Sequence, residues 1–207
     1  MEKNYPIMLQ MTGKKVVVVG GGKVAERKIS GLLETGAAIT VISPIATDTI
    51  HRLALEGDIV WQERSFTKDD LLDAFMIFAA TDNAEINQLV KKAASDRQLV
   101  SIADDPDGSD FHVPANFRRG RLCISVSTEG ASPFLAGKIR AQLEEQFDEV
   151  YEDFIEFLFT ARQRVLREVE DPALKRKLLT AIVSEDFLNS ENREDKFRRL
   201  LKKADTW

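Results

Sequence analysis

Four consecutive valines, Val16-Val17-Val18-Val19, run straight into three glycines, Gly20-Gly21-Gly22, and that junction limits the fold more than any other stretch. An unbroken run of β-branched residues has no polar face to show water. It therefore reads as a strand buried on both sides, as in a parallel sheet. Gly20, Gly22 and Ala25 occupy the small-residue positions of a G-x-G-x-x-(G/A) pattern. The first permits a tight turn, the second a close approach of backbone to a pyrophosphate, and the third close packing of helix on strand. Ala25, Ile29, Leu32 and Leu33 follow at helical spacing and Gly36 closes the stripe, which predicts a helix beginning at the glycines. The amides that open it, those of Lys23, Val24 and Ala25, face the phosphates where the helix dipole favours negative charge. A glycine turn in an α/β domain without a nucleotide would carry the same residues. The strand before and the helix after favour the dinucleotide.

The pattern then alternates. Ala38-Ile39-Thr40-Val41-Ile42 predicts a second strand, residues 59–62 a third, Phe75-Met76-Ile77-Phe78-Ala79 a fourth and Leu99-Val100-Ser101-Ile102-Ala103 a fifth. The short apolar stretch 6–11 is expected to add an edge strand. Thr67-Lys68-Asp69-Asp70 has the cap and following acid of a helix start. A helix with Ile86, Leu89, Val90, Ala93 and Ala94 on one face separates the fourth and fifth strands. Strands alternating with helices predict an α/β fold, a Rossmann-like doubly wound parallel sheet with right-handed crossovers.

Ligands of such sheets bind outside the carboxyl ends of the strands. Four clusters fall there: residues 20–25, Ser43-Pro44, Ala80-Thr81-Asp82 and Asp104-Asp105. An acid at the end of the second strand would hold the ribose hydroxyls of an NAD site. Ser43 stands there instead, a weaker hydrogen-bonding substitute. No arginine adjoins it to mark a 2′-phosphate, so NAD is favoured over NADP. Asp104 and Asp105 precede Pro106 and Gly108, which is ordinary turn chemistry. Asp104 is nevertheless the first polar residue past a strand that points into the cofactor crevice, so a functional role is favoured for Asp104 and a structural one for Asp105.

The remaining chain predicts less regular structure. His112, between Phe111 and Val113, reads as a packed or hydrogen-bonded residue rather than a metal ligand, and His51 as solvent-facing. Asn116-Phe117-Arg118-Arg119-Gly120-Arg121 is a basic cluster whose simplest reading is a solvated turn. Residues 122–128 alternate strictly, as a half-exposed strand does. Ser132-Pro133 opens a helix carrying Phe134, Leu135, Ile139, Leu143 and Phe147, with Lys138 and Arg140 on it. One strand and one amphipathic helix make too little core, so this segment is expected to pair with a second chain. From Asp148 on the pattern is helical, with Phe154, Ile155, Leu158, Phe159, Val165 and Leu166 on one face and a break at Asp171-Pro172. The organisation expected is a nucleotide domain over 1–113, a dimerisation segment over 114–147 and a small helical domain over 148–207.

Charge and cysteine content narrow the function classes. A net charge of −5 argues against a general nucleic-acid binder but leaves room for an anionic small substrate at a local basic patch. No apolar run is long enough to span a bilayer, and the first residues lack the apolar core of a signal peptide. Cys123 is alone, so neither an intrachain disulfide nor a cysteine zinc cluster can form, and the cytoplasm is the expected location. No metal site is expected.

Several stretches match one family in order: Pro6-Ile7-Met8-Leu9, the glycine fingerprint through Lys28, Ala79-Ala80-Thr81-Asp82 with Asn87, Asp104-Asp105-Pro106, Asp110-Phe111-His112-Val113-Pro114-Ala115, and Ser125-Val126-Ser127-Thr128-Glu129-Gly130-Ala131-Ser132-Pro133. Together they resemble the precorrin-2 dehydrogenases of siroheme biosynthesis, a family that includes bifunctional dehydrogenase/sirohydrochlorin ferrochelatases. The likeness covers about residues 5–147 and weakens in the helical tail. It implies NAD-dependent oxidation of precorrin-2 to sirohydrochlorin and a homodimer interlocked through residues near 114–147. It places the family's catalytic aspartate on Asp104, as general base or as the group that orients the tetrapyrrole. The residues agree: such a substrate carries many carboxylates, which Arg118, Arg119, Arg121, Lys138 and the helix start at Ser132 would bind, with Ser127 and Thr128 adding hydrogen bonds. Whether the chain also inserts iron or cobalt into sirohydrochlorin stays open, with dehydrogenase alone favoured, and so do three other readings. A different NAD(P)-dependent reductase would need another catalytic set, and neither Tyr5 nor Tyr151 has the lysine four residues on that short-chain types use. The chain could also be a non-catalytic NAD sensor, or a ferrochelatase on a nucleotide-fold scaffold.

Overall fold

The valine run folds as its composition demands. β1 (Lys15–Val19) is buried from Val16 onward and lies at the centre of a five-stranded parallel sheet. The structure is a computed structural model and describes residues 4–204. α1 (Lys23–Ser30), β2 (Ala38–Ile42), α2 (Asp48–Glu56), β3 (Val60–Gln62), β4 (Met76–Ala79), α3 (Ala84–Ala93) and β5 (Leu99–Ile102) follow, and the strand order is β3-β2-β1-β4-β5. Every pairing is parallel. The order reverses between β1 and β4, which is the switch point where doubly wound sheets bind ligands. Alternate residues of β1 feed two cores: Val16 and Val18 pack with Ile29, Ile39, Ile50 and Phe78 on one side, Val17 and Val19 with Ile77, Val90 and Ile102 on the other.

Three expectations change in this part of the chain. Residues 4–11 form no strand and only Met11 is buried; the following turn, closed by Lys14 N–H to the Met11 carbonyl and tied down by Gly13 N–H to the Gly36 carbonyl, seats Met11 in the core instead of pairing the segment. The edge of β5 is covered from the other end of the unit. Asp110 accepts the Val100 N–H at 2.9 Å, Ser109 Oγ accepts that of Ile102 at 2.8 Å, and Asp110 N–H reaches the Val100 carbonyl. This protects the sheet edge without another strand. The stretch from Thr67 yields a 3-10 turn, Lys68–Leu71, in which Asp70 accepts the Thr67 N–H at 2.8 Å. α3 turns Asn87 and Val90 inward and leaves Ile86 and Leu89 exposed.

The chain divides into two compact units, one of residues 5–113 and one holding residues 114–204 with Asn4. In the second, the basic cluster is a strand rather than a solvated turn. β6 (Ala115–Arg119) and β7 (Leu122–Val126) form an antiparallel hairpin whose register leaves a two-residue loop, Gly120-Arg121. Gly120 has φ +51°, as the first loop position of such a hairpin requires. α4 (Pro133–Gln146) packs on the hairpin face that carries Phe117 and Arg119. α5 (Val150–Glu168), α6 (Pro172–Ala181), α7 (Glu185–Leu188) and α8 (Arg193–Ala204) enclose their own core of Phe154, Phe157, Ala161, Val165, Leu178, Ile182, Phe187 and Phe197. The inward stripe of α5 thus uses Phe157 and Ala161 where the sequence pattern pointed to Ile155 and Leu158.

Candidate functional site

The site grows from the glycines. Gly20 has φ +122°, and a Cβ there would sit 2.3 Å from the Ala80 carbonyl oxygen. Only glycine lets the ends of β1 and β4 meet so closely. A Cβ on Gly21 would lie 2.0 Å from the Ile45 carbonyl oxygen, so the loop after β2 crosses directly over the turn. A Cβ on Gly22 would meet nothing within 4 Å. Gly22 is the N-cap of α1 and no side chain caps that helix. The first amides of α1 therefore open onto free space with the positive end of the helix dipole behind them.

Neighbouring groups hold this loop in place. Thr47 N–H donates to the Gly21 carbonyl at 2.9 Å. The Glu26 carboxyl is held below its usual range, chiefly by the Thr47 hydroxyl and then by Lys23, whose Nζ lies 3.1 Å away. Lys23 stays largely exposed at the mouth of the turn. Ser43 is buried, and its hydroxyl donates to the Ile45 carbonyl at 2.7 Å. Ser43, where a ribose contact is expected, thus has its proton engaged in the loop that Gly21 passes beneath. Pro44 beside it is exposed.

Beyond the switch point the ends of β4 and β5 are joined by one side chain. Asn87, fully buried on α3, accepts the Thr81 N–H at 3.1 Å and donates to the Thr81 carbonyl at 3.1 Å and to Asp104 Oδ1 at 2.7 Å. Asp104 is exposed, and its Oδ2 takes no hydrogen bond among the described residues. Asp105 is spent on the turn, accepting the Gly108 N–H at 2.9 Å and Gln88 Nε2 at 3.0 Å. The pattern G-x-G-x-x-A names Gly20, Gly22 and Ala25. Gly21 and Asn87 escaped it, the first because it occupies an x position, the second because a polar residue on an apolar helix carries no periodic signal. Asn87 had stood only among the residues of the family likeness.

These features fit a dinucleotide. A glycine-only backbone approach, an uncapped helix start opening onto space and an exposed lysine beside it suit a pyrophosphate. Gly20, Gly22, Lys23, Val24 and Ala25 form the turn from β1 into α1, the Ala25 side chain buried in the core, and Ala80 and Thr81 lie at the adjoining strand end.

The residues expected to bind substrate belong to the other unit. Arg118 and Lys138 are exposed. Arg119 faces α4, where its guanidinium pairs with Glu144 at 3.6 Å and stands over Phe117. Arg121 pairs with Glu156 at 2.7 Å and lies 3.7 Å from the Phe159 ring centre. Ser127 accepts the Glu129 N–H, Thr128 accepts the Ser132 N–H, and Ser132 caps α4 by accepting the Leu135 N–H, each at 3.1 Å. Ser127, Thr128 and Ser132 thus build a loop in which Glu129 takes φ +50°. His112 is exposed rather than packed, while Phe111 beside it stacks edge-on against Phe78. Among the described residues no group of three or more His, Cys, Asp or Glu is arranged to hold a metal ion, and no helix is long and apolar enough to cross a membrane.

Comparison with known proteins agrees with this geometry. The family described as "Putative NAD(P)-binding" matches residues 7–115, "Sirohaem biosynthesis protein central" residues 119–146, and "SirC C-terminal domain" residues 151–197. A precorrin-2 dehydrogenase of Priestia megaterium is 35% identical over 199 residues, 96% of this chain and 98% of that protein. A siroheme synthase of Nitrosococcus oceani is 32% identical over 194 residues, and the match spans 91% of this chain and 42% of the relative. A solved structure titled "SirC, precorrin-2 dehydrogenase" superposes with a TM-score of 0.83 at 34% identity, over 99% of this chain and 100% of that one. With full-length similarity at this level, and with a glycine turn and uncapped helix start that fit a dinucleotide, the chain belongs to the precorrin-2 dehydrogenase family.

Proposed function

We propose that the protein oxidises precorrin-2 to sirohydrochlorin with NAD as hydride acceptor, a step of siroheme biosynthesis, and that Asp104 takes the proton released. The observation that carries the assignment of Asp104 is its hydrogen bond to Asn87. That bond fixes one carboxylate oxygen and leaves the other open, at the same end of the sheet as the glycine turn. Oxidation of a carbon framework removes a hydride and a proton; bound NAD supplies the acceptor for the first. A base within reach of the substrate must receive the second. Gly20, Gly22, Ala80 and Thr81 present backbone to the nucleotide, Lys23 adds charge beside the amides of Val24 and Ala25, and Ser43 and Pro44 shape the far wall. Asp104 stands one strand beyond Thr81.

The substrate's carboxylates call for cations. Of the exposed cations in the segment 114–147, Arg121 is paired with Glu156, and we assign the role to Arg118 and Lys138 together with the loop built by Ser127, Thr128 and Ser132. Arg119 is assigned to holding α4 through Glu144 instead. We further propose that the protein is a homodimer formed through this segment, the three-part organisation being 1–113, 114–147 and 148–207, and that it works in the cytoplasm.

The test is anaerobic and optical. Protein is mixed with precorrin-2 with and without NAD, and ferrous or cobaltous ion is added afterwards. NAD-dependent appearance of the sirohydrochlorin spectrum is expected, with metal uptake no faster than without protein. Absence of the spectral change refutes the dehydrogenase, and accelerated metal uptake makes the enzyme bifunctional.

A further inference from the structure

We infer that Asn87 is a positioning residue that ties the Asp104 carboxylate to the nucleotide-facing end of β4; the inference rests on the role assigned to Asp104 above. Asn87 is 0% exposed, in the middle of a helix face that otherwise buries Val90 against the sheet. A buried amide is costly unless its two acceptor positions and two N–H groups are used. Here all are engaged. Oδ1 faces the Thr81 N–H at 3.1 Å and the Thr81 hydroxyl at 2.8 Å, while Nδ2 faces the Thr81 carbonyl at 3.1 Å and Asp104 Oδ1 at 2.7 Å. The partners fix which end is nitrogen, because a flipped amide would set its oxygen against two oxygens.

No other residue of this size makes that set of bonds. Leucine makes none. Aspartate keeps the acceptor for the Thr81 N–H but has no hydrogen for Asp104, and it sets a second carboxylate against the first. The bond to Asp104 is charge-assisted, the stronger kind. It acts on a side chain at an exposed loop end that would otherwise sample several rotamers. Because the same amide grips both backbone atoms of Thr81, the proton acceptor and the nucleotide-facing strand end move as one piece. Misplacing a reacting group by about 1 Å costs on the order of a hundredfold in rate.

The test is Asn87→Asp in the full-length protein, with NAD affinity, KM for precorrin-2 and kcat measured separately beside Asp104→Ala. The expected result is a kcat lowered about 10- to 100-fold, with NAD affinity and KM within about threefold of the parent. That split separates positioning from a general structural defect, which would lower affinity and turnover together. An unchanged kcat, or parallel loss of all three, overturns the inference. If Asp104→Ala turns over normally, the role of Asp104 itself fails. If Asp104→Ala is dead while Asn87→Asp runs at the parent rate, only the role of Asn87 fails. Should Asn87→Asp not fold, heteronuclear NMR of the Asn87 side-chain amide decides. Asp104→Ala, at an exposed position, is expected to shift that resonance and weaken its exchange protection, and an unmoved resonance overturns the inference.

Discussion

At the scale of single residues, the nucleotide end of the molecule is decided by atoms that are absent. A Cβ at Gly20 or Gly21 would collide with backbone, whereas one at Gly22 would meet nothing within 4 Å and would enter the space proposed for the pyrophosphate. Gly22→Asp is therefore expected to leave the fold intact and to weaken NAD binding on the order of a hundredfold or more, since juxtaposed like charges cost several kcal/mol. Titration calorimetry against NAD measures this, and parent-like affinity in a folded variant contradicts the placement. Asp104→Ala has the opposite signature: turnover is expected to be lost while NAD affinity is kept, because the carboxylate is proposed to take the proton from the substrate rather than to hold the nucleotide. Gly20, Gly22 and Ala25 were legible because the pattern encodes their steric duties. Gly21 was not, since its constraint comes from where the loop at Ile45 passes. Ser43 was legible as the residue standing where an acid would hold the ribose, but not as one whose proton is committed to the Ile45 carbonyl.

At the scale of elements, local pattern and tertiary demand agree wherever a segment is buried on both faces. β1, β2, β4 and β5 follow their apolar runs to within a residue. They part company at edges and on one-sided elements. The stretch 6–11 is apolar enough for a strand, but it pairs with neither edge of the sheet. α3 places its apolar Ile86 and Leu89 outward because a fully bonded amide is a better fit beneath the strand ends than a side chain that would break the Thr81 and Asp104 contacts. The contact between α1 and the α2 cap carries a pH dependence. Glu26 has a folded-state pKa below its unfolded value, mainly through the Thr47 hydroxyl and then Lys23. The stabilisation it gives is therefore complete above the ordinary Glu pKa, about 4.3, and is lost as pH falls through the depressed value. Glu26→Gln is expected to melt lower at neutral pH and to show a shallower decline in Tm across the acid range. Melting curves that stay parallel to the parent's at every pH would refute this.

At the scale of the whole molecule, the two units differ in how well they cover themselves. The parallel sheet has a core on each face and a loop along the β5 edge. The β6–β7 hairpin has one face under α4 and the other open, and two-stranded sheets are marginal alone. Phe134 is 92% exposed and Leu135 49% exposed at the first turn of α4. An exposed phenylalanine beside an exposed leucine at one helix end is a patch that asks for cover. A second copy of the chain supplies that cover in the proposed homodimer, where a two-fold axis would bury the patch on both protomers. The sequence already pointed to this need, because one strand and one amphipathic helix make too little core; the second strand found in the structure enlarges the sheet without closing it. Phe134→Glu tests the idea. Burying a phenylalanine contributes about 1.5–3 kcal/mol and each symmetric interface counts it twice, so self-association is expected to weaken about a hundredfold or more. Light scattering at micromolar concentration should then report a dimer for the parent and a monomer for the variant, with NAD affinity unchanged because the glycine turn lies in the other unit. Turnover of precorrin-2 should fall with the dimer, since Arg118 and Lys138 belong to the segment that the association would hold in place. A parent that is monomeric, or a Phe134→Glu protein that remains dimeric and fully active, would remove the second copy from the working enzyme.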